Sequence, residues 1–103
     1  MSIYITCKDE NEAKAIARRL LEKRLIACAN IFPVRSLYRW NKKIQDVSEF
    51  AIIAKTQEKH FKTIKEEVRK IHSYEAPCIV SWKISEANEG YLKWVLSETG
   101  TDN

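Results

Sequence analysis

The sequence predicts an α+β fold, in which helices cover a β-sheet. Two observations predict this class. Four segments favour β-strands through apolar–polar alternation or β-rich composition, and three others place apolar residues three or four positions apart, as amphipathic helices do. The chain has 103 residues, a length that suits one folding unit, so we expect a single domain over residues 1–103.

The first strand and the first helix have the clearest patterns. Ser2–Cys7 is a short β-rich run with Ile3 and Ile5 on one face. Asp9 then offers a helix cap, and Glu12 stands three residues later, in capping-box position. The stripe that follows has helical spacing and comprises Ala13, Ile16, Ala17, Leu20 and Leu21.

Two long strands come next. From Cys28 to Trp40 the pattern has a period of two, and Pro33 indicates either a bulge or an edge strand. Asn41-Lys42 can turn the chain, because Asn tolerates a positive φ. Ile44–Thr56 then returns, and its apolar run Phe50–Ala54 predicts a central strand that is buried on both faces.

The second half of the chain repeats the helix–strand order. Phe61, Ile64, Val68 and Ile71 form a second helical stripe, and the stretch Cys78–Ile84 alternates as a fourth strand. A last helix is predicted from about Asn88. The order is therefore β-α-β-β-α-β with a C-terminal helix, which is the ferredoxin-like arrangement, a two-layer sandwich of helices on an antiparallel sheet.

The hairpin formed by the second and third strands is long for a domain of this size. Thirteen residues of strand, Cys28–Trp40, would span about 43 Å, whereas the expected diameter of the domain is roughly 33 Å. We therefore expect the hairpin to overhang the body or to bend sharply at Pro33. An overhang would expose Leu37, Tyr38 and Trp40, and such apolar edges favour pairing with another copy of the chain. Tyr38 and Trp40 are thus candidate subunit contacts.

Composition and cysteine spacing exclude several classes of protein. No apolar stretch is long enough to cross a bilayer, and the first residues lack a signal-peptide pattern, so we expect a cytoplasmic protein without a membrane partner. Lys and Arg alternate with Glu on helix faces, which argues against nucleic-acid binding. The three cysteines show no CxxC spacing and are expected to be reduced thiols.

Catalysis is not indicated, because the chain has no HExxH motif and no glycine-rich phosphate loop. We therefore predict that it is not an enzyme. Chemistry-bearing side chains nevertheless concentrate in one segment, His72–Pro77, which joins a helix to a strand and carries Tyr74 and Glu75. His72 is either a functional group or simply the residue that closes the helix.

Five segments resemble the CutA1 family of divalent-cation tolerance proteins, and they run in the family's order over residues 3–98. They are Glu22-Lys-Arg-Leu-Ile-Ala-Cys-Ala-Asn30, Ser36-Leu-Tyr-Arg-Trp40, Lys55-Thr56, His72-Ser-Tyr-Glu-Ala-Pro77 and Tyr91-Leu-Lys-Trp94. The resemblance implies a ferredoxin-like fold, a homotrimer in which the long hairpins extend neighbouring sheets, and an association with copper and other divalent cations.

The resemblance also implies a set of metal ligands. His72 matches a histidine implicated in metal binding, and Glu49 matches a carboxylate that comes from the adjacent subunit. The family's first-strand cysteine falls on Ile5, while Cys7 lies two residues further along the same face, so Cys7 is the candidate thiolate. Such ligands suit copper or zinc; incidental surface binding of metal is the alternative.

The sequence departs from the family pattern at Ser73, Lys42 and Lys8, where the family has proline, glycine and proline respectively. If clefts form between subunits, Lys55, Tyr74 and Glu75 are candidates to line them. A second function remains open, that of a PII-like trimeric signalling or scaffold protein that senses a small anion or nucleotide. The tight hairpin argues against it, because PII proteins carry a long loop there. An unidentified protein partner is also left open.

Overall fold

The computed structural model describes residues 1–100, and the last three residues of the predicted domain, 101–103, lie outside this range. Four strands and three α-helices alternate in the predicted order. They are β1 (Ser2–Cys7), α1 (Glu10–Glu22), β2 (Cys28–Trp40), β3 (Lys43–Lys55), α2 (Phe61–Ile71, preceded by a 3₁₀ turn at Glu58–His60), β4 (Ile79–Trp82) and α3 (Glu89–Glu98).

The four strands form one antiparallel sheet in the order β2-β3-β1-β4. This confirms the α+β prediction and the central position of β3. The fourth strand is shorter than the predicted Cys78–Ile84. Within residues 1–100 it pairs with β1 alone, from the Ile79–Ile5 pair to the Trp82–Ser2 pair.

The helices cover one face of this sheet. Alternate residues of the strands point to opposite faces, so Ile3, Ile5 and Cys7 share one side with Phe50, Ile52 and Ala54. That side packs against the predicted helical stripes in a single core. The buried members of this core are Ile3, Ile5, Cys7, Ala13, Ile16, Leu20, Leu25, Ile26, Ile52, Ala54, Ile64 and Val68.

We call the opposite side of the sheet the open face, defined by Tyr4 and Thr6 of β1 and their β3 partners Ile53 and Ala51. Glu49 belongs to this face because it lies two residues before Ala51 on β3. The open face is well supplied with aromatic side chains: Tyr4, Phe32, Tyr38, Trp40 and Trp82.

The β2–β3 hairpin overhangs the body, as its length predicts. The two strands pair without interruption from Cys28–Lys55 to Trp40–Lys43, and Pro33 sits in register on the sheet edge with no bulge. β1 pairs with β3 only from Phe50 onward, so residues 43–49 of β3 project beyond it. The longest dimension is 46 Å, against 27 and 21 Å for the others. Large apolar side chains on the projecting half, such as Leu37 (66% exposed) and Ile44 (68%), face outward.

A two-residue turn closes the hairpin at Asn41 and Lys42, with φ values of 52° and 64°. Two successive positive φ values are the signature of a type I′ turn, whose twist matches that of the flanking strands. The prediction that Asn41 begins the turn is therefore confirmed. Lys42 adopts a left-handed conformation without being a glycine, which costs about 1–2 kcal/mol relative to an unstrained residue.

Candidate functional site

The segment after α2 is positioned by its first residue, His72. The His72 N–H still donates to the Val68 carbonyl (2.8 Å), but its ψ of 140° is extended, so the helix ends there. Residues 73–78 then pass over the end of the sheet without regular structure and lead into β4. His72 thus closes the helix, and its imidazole points back to the end of β1.

Both ring nitrogens of His72 have hydrogen-bond partners. The backbone N–H of Tyr74 donates to Nδ1 (3.1 Å), so Nδ1 is unprotonated, and Nε2 therefore carries the proton that it shares with the Thr6 carbonyl (2.8 Å). The Tyr74 ring also packs at a tilt against the imidazole, with centroids 4.8 Å apart. The neutral tautomer of His72 is fixed by these contacts.

Glu12 ties the same segment to the start of α1. Its Oε1 accepts the Lys8 N–H (2.9 Å) and its Oε2 accepts the Ser73 N–H (2.8 Å), while Asp9 caps the helix as predicted by accepting the Glu12 N–H (2.8 Å). Burial opposes ionisation of Glu12, but these backbone hydrogen bonds outweigh it and lower the pKa of the Glu12 carboxyl.

Cys7 completes a cluster with these two residues. One potential ligand atom each from Cys7, Glu12 and His72 lies within 4.8 Å of the other two. The Cys7 side chain is fully buried in the core. Burial first, and then the negative charges of Glu12, Glu49 and Asp9, raise the pKa of the Cys7 thiol to about 12. Cys7 is therefore a protonated thiol at neutral pH.

The donor atoms of the cluster are of the types that bind metal ions, but they are already occupied by hydrogen bonds. Thiolate, imidazole and carboxylate are the ligands of copper and zinc sites. In this fold, however, both nitrogens of His72 and both oxygens of Glu12 are engaged with backbone groups. A metal would have to displace some of these hydrogen bonds and the Cys7 proton.

Glu49 lies apart from this cluster, on the open face of the sheet. Cys7 pairs with Phe50, so within one chain the side chains of Cys7 and Glu49 point to opposite faces. The Glu49 side chain is buried (5% exposed), and the Tyr74 hydroxyl donates to its Oε2 at 2.5 Å. Burial, followed by the hydrogen bond and charge of Glu49, raises the pKa of Tyr74 well above its usual value.

Tyr74 and Glu49 line a cavity of about 780 Å³ on the open face. The projecting hairpin forms one wall and the segment 73–78 forms the other. Of the residues predicted as subunit contacts or cleft lining, four contribute to it: Tyr38, Trp40, Tyr74 and Glu75. The fifth, Lys55, lies elsewhere. It lines a second cavity beside Met1 and α3, at the other end of β3.

Two functional candidates, Glu12 and Cys78, are not evident from the sequence. The pattern around Glu12 predicts only a capping box, and its contact with Ser73 spans 61 positions, which a local pattern cannot reveal. Cys78 borders the cavity because it lies two residues before Val80, which pairs with Tyr4 on the open face of the sheet. Its position beside Pro77 and the His72 segment was the only signal available.

Comparisons with known proteins agree on one family. The family model of the CutA1 divalent ion tolerance protein matches residues 1–98. The chain is 45% identical to a divalent-cation tolerance protein CutA of Archaeoglobus fulgidus over 93 residues, covering 90% of this chain and 91% of that protein. A protein of the same name from Thermotoga maritima is 44% identical, covering 90% of this chain and 92% of that protein.

Solved structures give the same result. A structure of the periplasmic divalent cation tolerance protein CutA from Archaeoglobus fulgidus superposes with a TM-score of 0.94 at 43% identity, covering 95% of this chain and 96% of that one. These names describe tolerance to cations and state no reaction, and they give no support to the PII-like alternative. Among residues 1–100, none of the helices has the length and apolar character needed to cross a membrane. The chain belongs to the CutA1 divalent ion tolerance family.

Proposed function

We propose that this chain binds divalent metal ions, copper first, and contributes to metal tolerance as a homotrimer. The observation that carries the metal assignment is the convergence of Cys7 and His72, whose ligand atoms lie within 4.8 Å of each other and of Glu12. Glu49 is the carboxylate that an adjacent subunit would add. It lies on the opposite face of its own sheet from Cys7, so a ligand role beside Cys7 needs a second copy.

Metal binding of this kind competes with the hydrogen bonds of the folded chain. Coordination by His72 would break its bond to Thr6 or to Tyr74, and coordination by Cys7 requires loss of the thiol proton. We therefore expect an affinity below that of a preformed site and an affinity that rises with pH.

A copper titration followed by calorimetry tests the assignment, with matched controls from the same chain. His72→Ala and Cys7→Ser should each weaken binding at least about tenfold, a loss typical of removing one ligand or its support. His60→Ala and Cys28→Ser should leave it unchanged, because the His60 ring contacts Thr99 and Cys28 contacts Tyr91, away from the cluster. Equal binding by the parent, His72→Ala and Cys7→Ser would refute the site, and equal weakening by His60→Ala would indicate surface binding.

The trimer proposal is supported by the projecting hairpin. Residues 43–49 of β3 have no β1 partner, and Leu37, Tyr38, Trp40 and Ile44 are exposed there. Such an edge favours strand pairing with another copy, and closed cyclic symmetry satisfies each edge once. Sedimentation equilibrium at micromolar concentration should give a mass near three times 12.0 kDa. Trp40→Lys should weaken the assembly, and a stable monomer of the parent protein would refute it.

The remaining parts of the proposal concern the setting of the protein. We propose one domain, because a single core joins β1, β3, α1 and α2. A cytoplasmic location is supported by Cys7, Cys28 and Cys78, which are free thiols in residues 1–100 and suit a reducing compartment. We propose a binding role without catalysis. Fractionation of cells that express the tagged protein tests the location.

A further inference from the structure

The two carboxylate oxygens of Glu12 hold two different parts of the chain. Oε1 accepts the backbone N–H of Lys8 (2.9 Å), at the start of α1, and Oε2 accepts the backbone N–H of Ser73 (2.8 Å), next to His72. Ser73 is exposed, so its N–H can bond to water when the carboxylate turns away. Oε2 is therefore the oxygen that Glu12 can release without disturbing the start of the helix.

The cluster needs a negative charge besides the thiolate to hold a divalent ion. Cys7 is fully buried, and His72 is a neutral imidazole. An ion bound by these two ligands alone would leave one uncompensated positive charge at a buried position, which is costly. Glu12 is the carboxylate whose ligand atom lies within 4.8 Å of those of Cys7 and His72. With Glu12, the charges of the ion and of its ligands from one chain balance.

Resting on the proposed metal-binding function, we propose that Glu12 is a third metal ligand from the same chain and that the Ser73 N–H sets the affinity by competing with the ion for Oε2. Glu12 coordinates through Oε2 and keeps Oε1 on the Lys8 N–H. Each bound ion therefore releases the Ser73 N–H to water. The fourth position of a tetrahedral ion stays open to the Glu49 carboxylate of a second copy.

Hydrogen exchange of single amides, measured by NMR on the full-length assembled protein, tests the displacement. Zinc is the probe, because it is diamagnetic and has one oxidation state. Saturating zinc should accelerate solvent exchange of the Ser73 amide at least about tenfold, as the loss of a hydrogen bond to a charged group requires. The His72 amide donates to the Val68 carbonyl (2.8 Å) and is the internal control, which should not accelerate. Unchanged or slower exchange at Ser73 would overturn the proposal, because an ion bound elsewhere releases no N–H there.

Variants separate the role of the carboxylate from that of the N–H. Glu12→Gln should weaken zinc binding at least about tenfold in calorimetry, whereas Glu66→Gln, on the exposed face of α2, should leave it unchanged. Ser73→Pro removes the N–H, and the ψ of 140° at His72 suits a residue before proline. This variant should bind zinc about tenfold tighter. Ser73→Ala keeps the N–H and should gain clearly less. Combined with Glu12→Gln, Ser73→Pro should bring no gain.

The outcomes distinguish this proposal from the function on which it rests. Zinc binding that weakens in His72→Ala and Cys7→Ser but not in Glu12→Gln would overturn the role of Glu12 and leave the metal site standing. A gain from Ser73→Pro that persists beside Glu12→Gln would also overturn it, because the proline would then act without the carboxylate. Zinc binding that none of these substitutions changes would refute both. If a variant does not fold, amide exchange in the parent protein decides alone.

Discussion

Removing the Tyr74 hydroxyl is the sharpest test of the Glu49 environment. In Tyr74→Phe the Glu49 carboxylate loses its 2.5 Å hydrogen bond, and at 5% exposure it has little access to water as a replacement. A buried group left without its partner costs about 1–3 kcal/mol, more when it is charged. We therefore expect a loss near the upper end, about 2–3 kcal/mol, in the free energy of unfolding. In a domain of this length that corresponds to a fall of about 8–24 °C in Tm.

The assay is thermal and denaturant unfolding at one fixed protein concentration, because assembly would otherwise contribute to the measured stability. Tyr38→Phe is the control, since it removes the same atom from an exposed ring. The double variant with Glu49→Gln should lose at least about 1 kcal/mol less than the sum of the single losses, as contacting residues do. A change below about 0.5 kcal/mol in Tyr74→Phe would refute the claim that this hydroxyl satisfies Glu49.

The same contact has a pH signature. Because the pKa of Tyr74 is raised by burial and then by Glu49, the folded chain keeps the phenol proton where the unfolded chain loses it. The stabilisation is therefore complete below about pH 10, the unfolded value, and declines as the pH rises above it. Tyr74→Phe should reduce this alkaline decline, which can be measured from denaturant midpoints between pH 8 and 11. An identical decline in both proteins would contradict the assignment.

Three further predictions concern other parts of the fold. Hydrogen bonds from Lys70 and Arg19 lower the pKa of Glu67 to about 2. The ionised Glu67 therefore stabilises the fold above about pH 4.3, and this contribution disappears toward pH 2. Glu67→Gln should lower the free energy of unfolding at pH 7 and flatten this acid dependence, as urea unfolding can measure. Lys42→Gly relieves the φ of 64° in the turn and should stabilise the chain by about 0.5–1 kcal/mol, and a lower denaturant midpoint would contradict this. Native Cys7, buried and with a pKa of about 12, should resist iodoacetamide at pH 8 while half-buried Cys28 reacts, as mass spectrometry can show; equal rates would contradict the burial.

Periodicity was sufficient to predict most of the fold. β1 and β2 have the predicted bounds, and the buried apolar positions of α1 and α2 belong to the predicted stripes, because burial on one face imposes a period on the sequence. Leu21 was also placed in the first stripe, but it is 41% exposed. β4 is shorter than predicted because a strand needs a paired neighbour as well as an alternating pattern, and its ladder with β1 runs only from the Ile79–Ile5 pair to the Trp82–Ser2 pair.

The candidate site was less predictable, because it depends on which face each strand residue takes. The resemblance indicated Cys7, His72 and Glu49, and the fold brings Cys7 and His72 together while turning Glu49 to the open face. Glu12 entered the cluster through a contact with Ser73, which only the packing of α1 beside α2 creates. Glu49 has no salt-bridge partner in the part of the chain that the structure describes, and a sequence cannot reveal this.

The uninterrupted register of the hairpin makes its two-residue turn a determinant of which side chains the projecting half presents on the open face. Val34 lies opposite Glu49, and from that pair outward Ser36, Tyr38 and Trp40 share the open face of the sheet with Glu49. A slip of a single position would replace Tyr38 and Trp40 on this face by Leu37 and Arg39. Deletions or insertions at the tip, about 20 Å from Glu49 at 3.3 Å per residue, would thus change which side chains the projecting half offers to another copy of the chain.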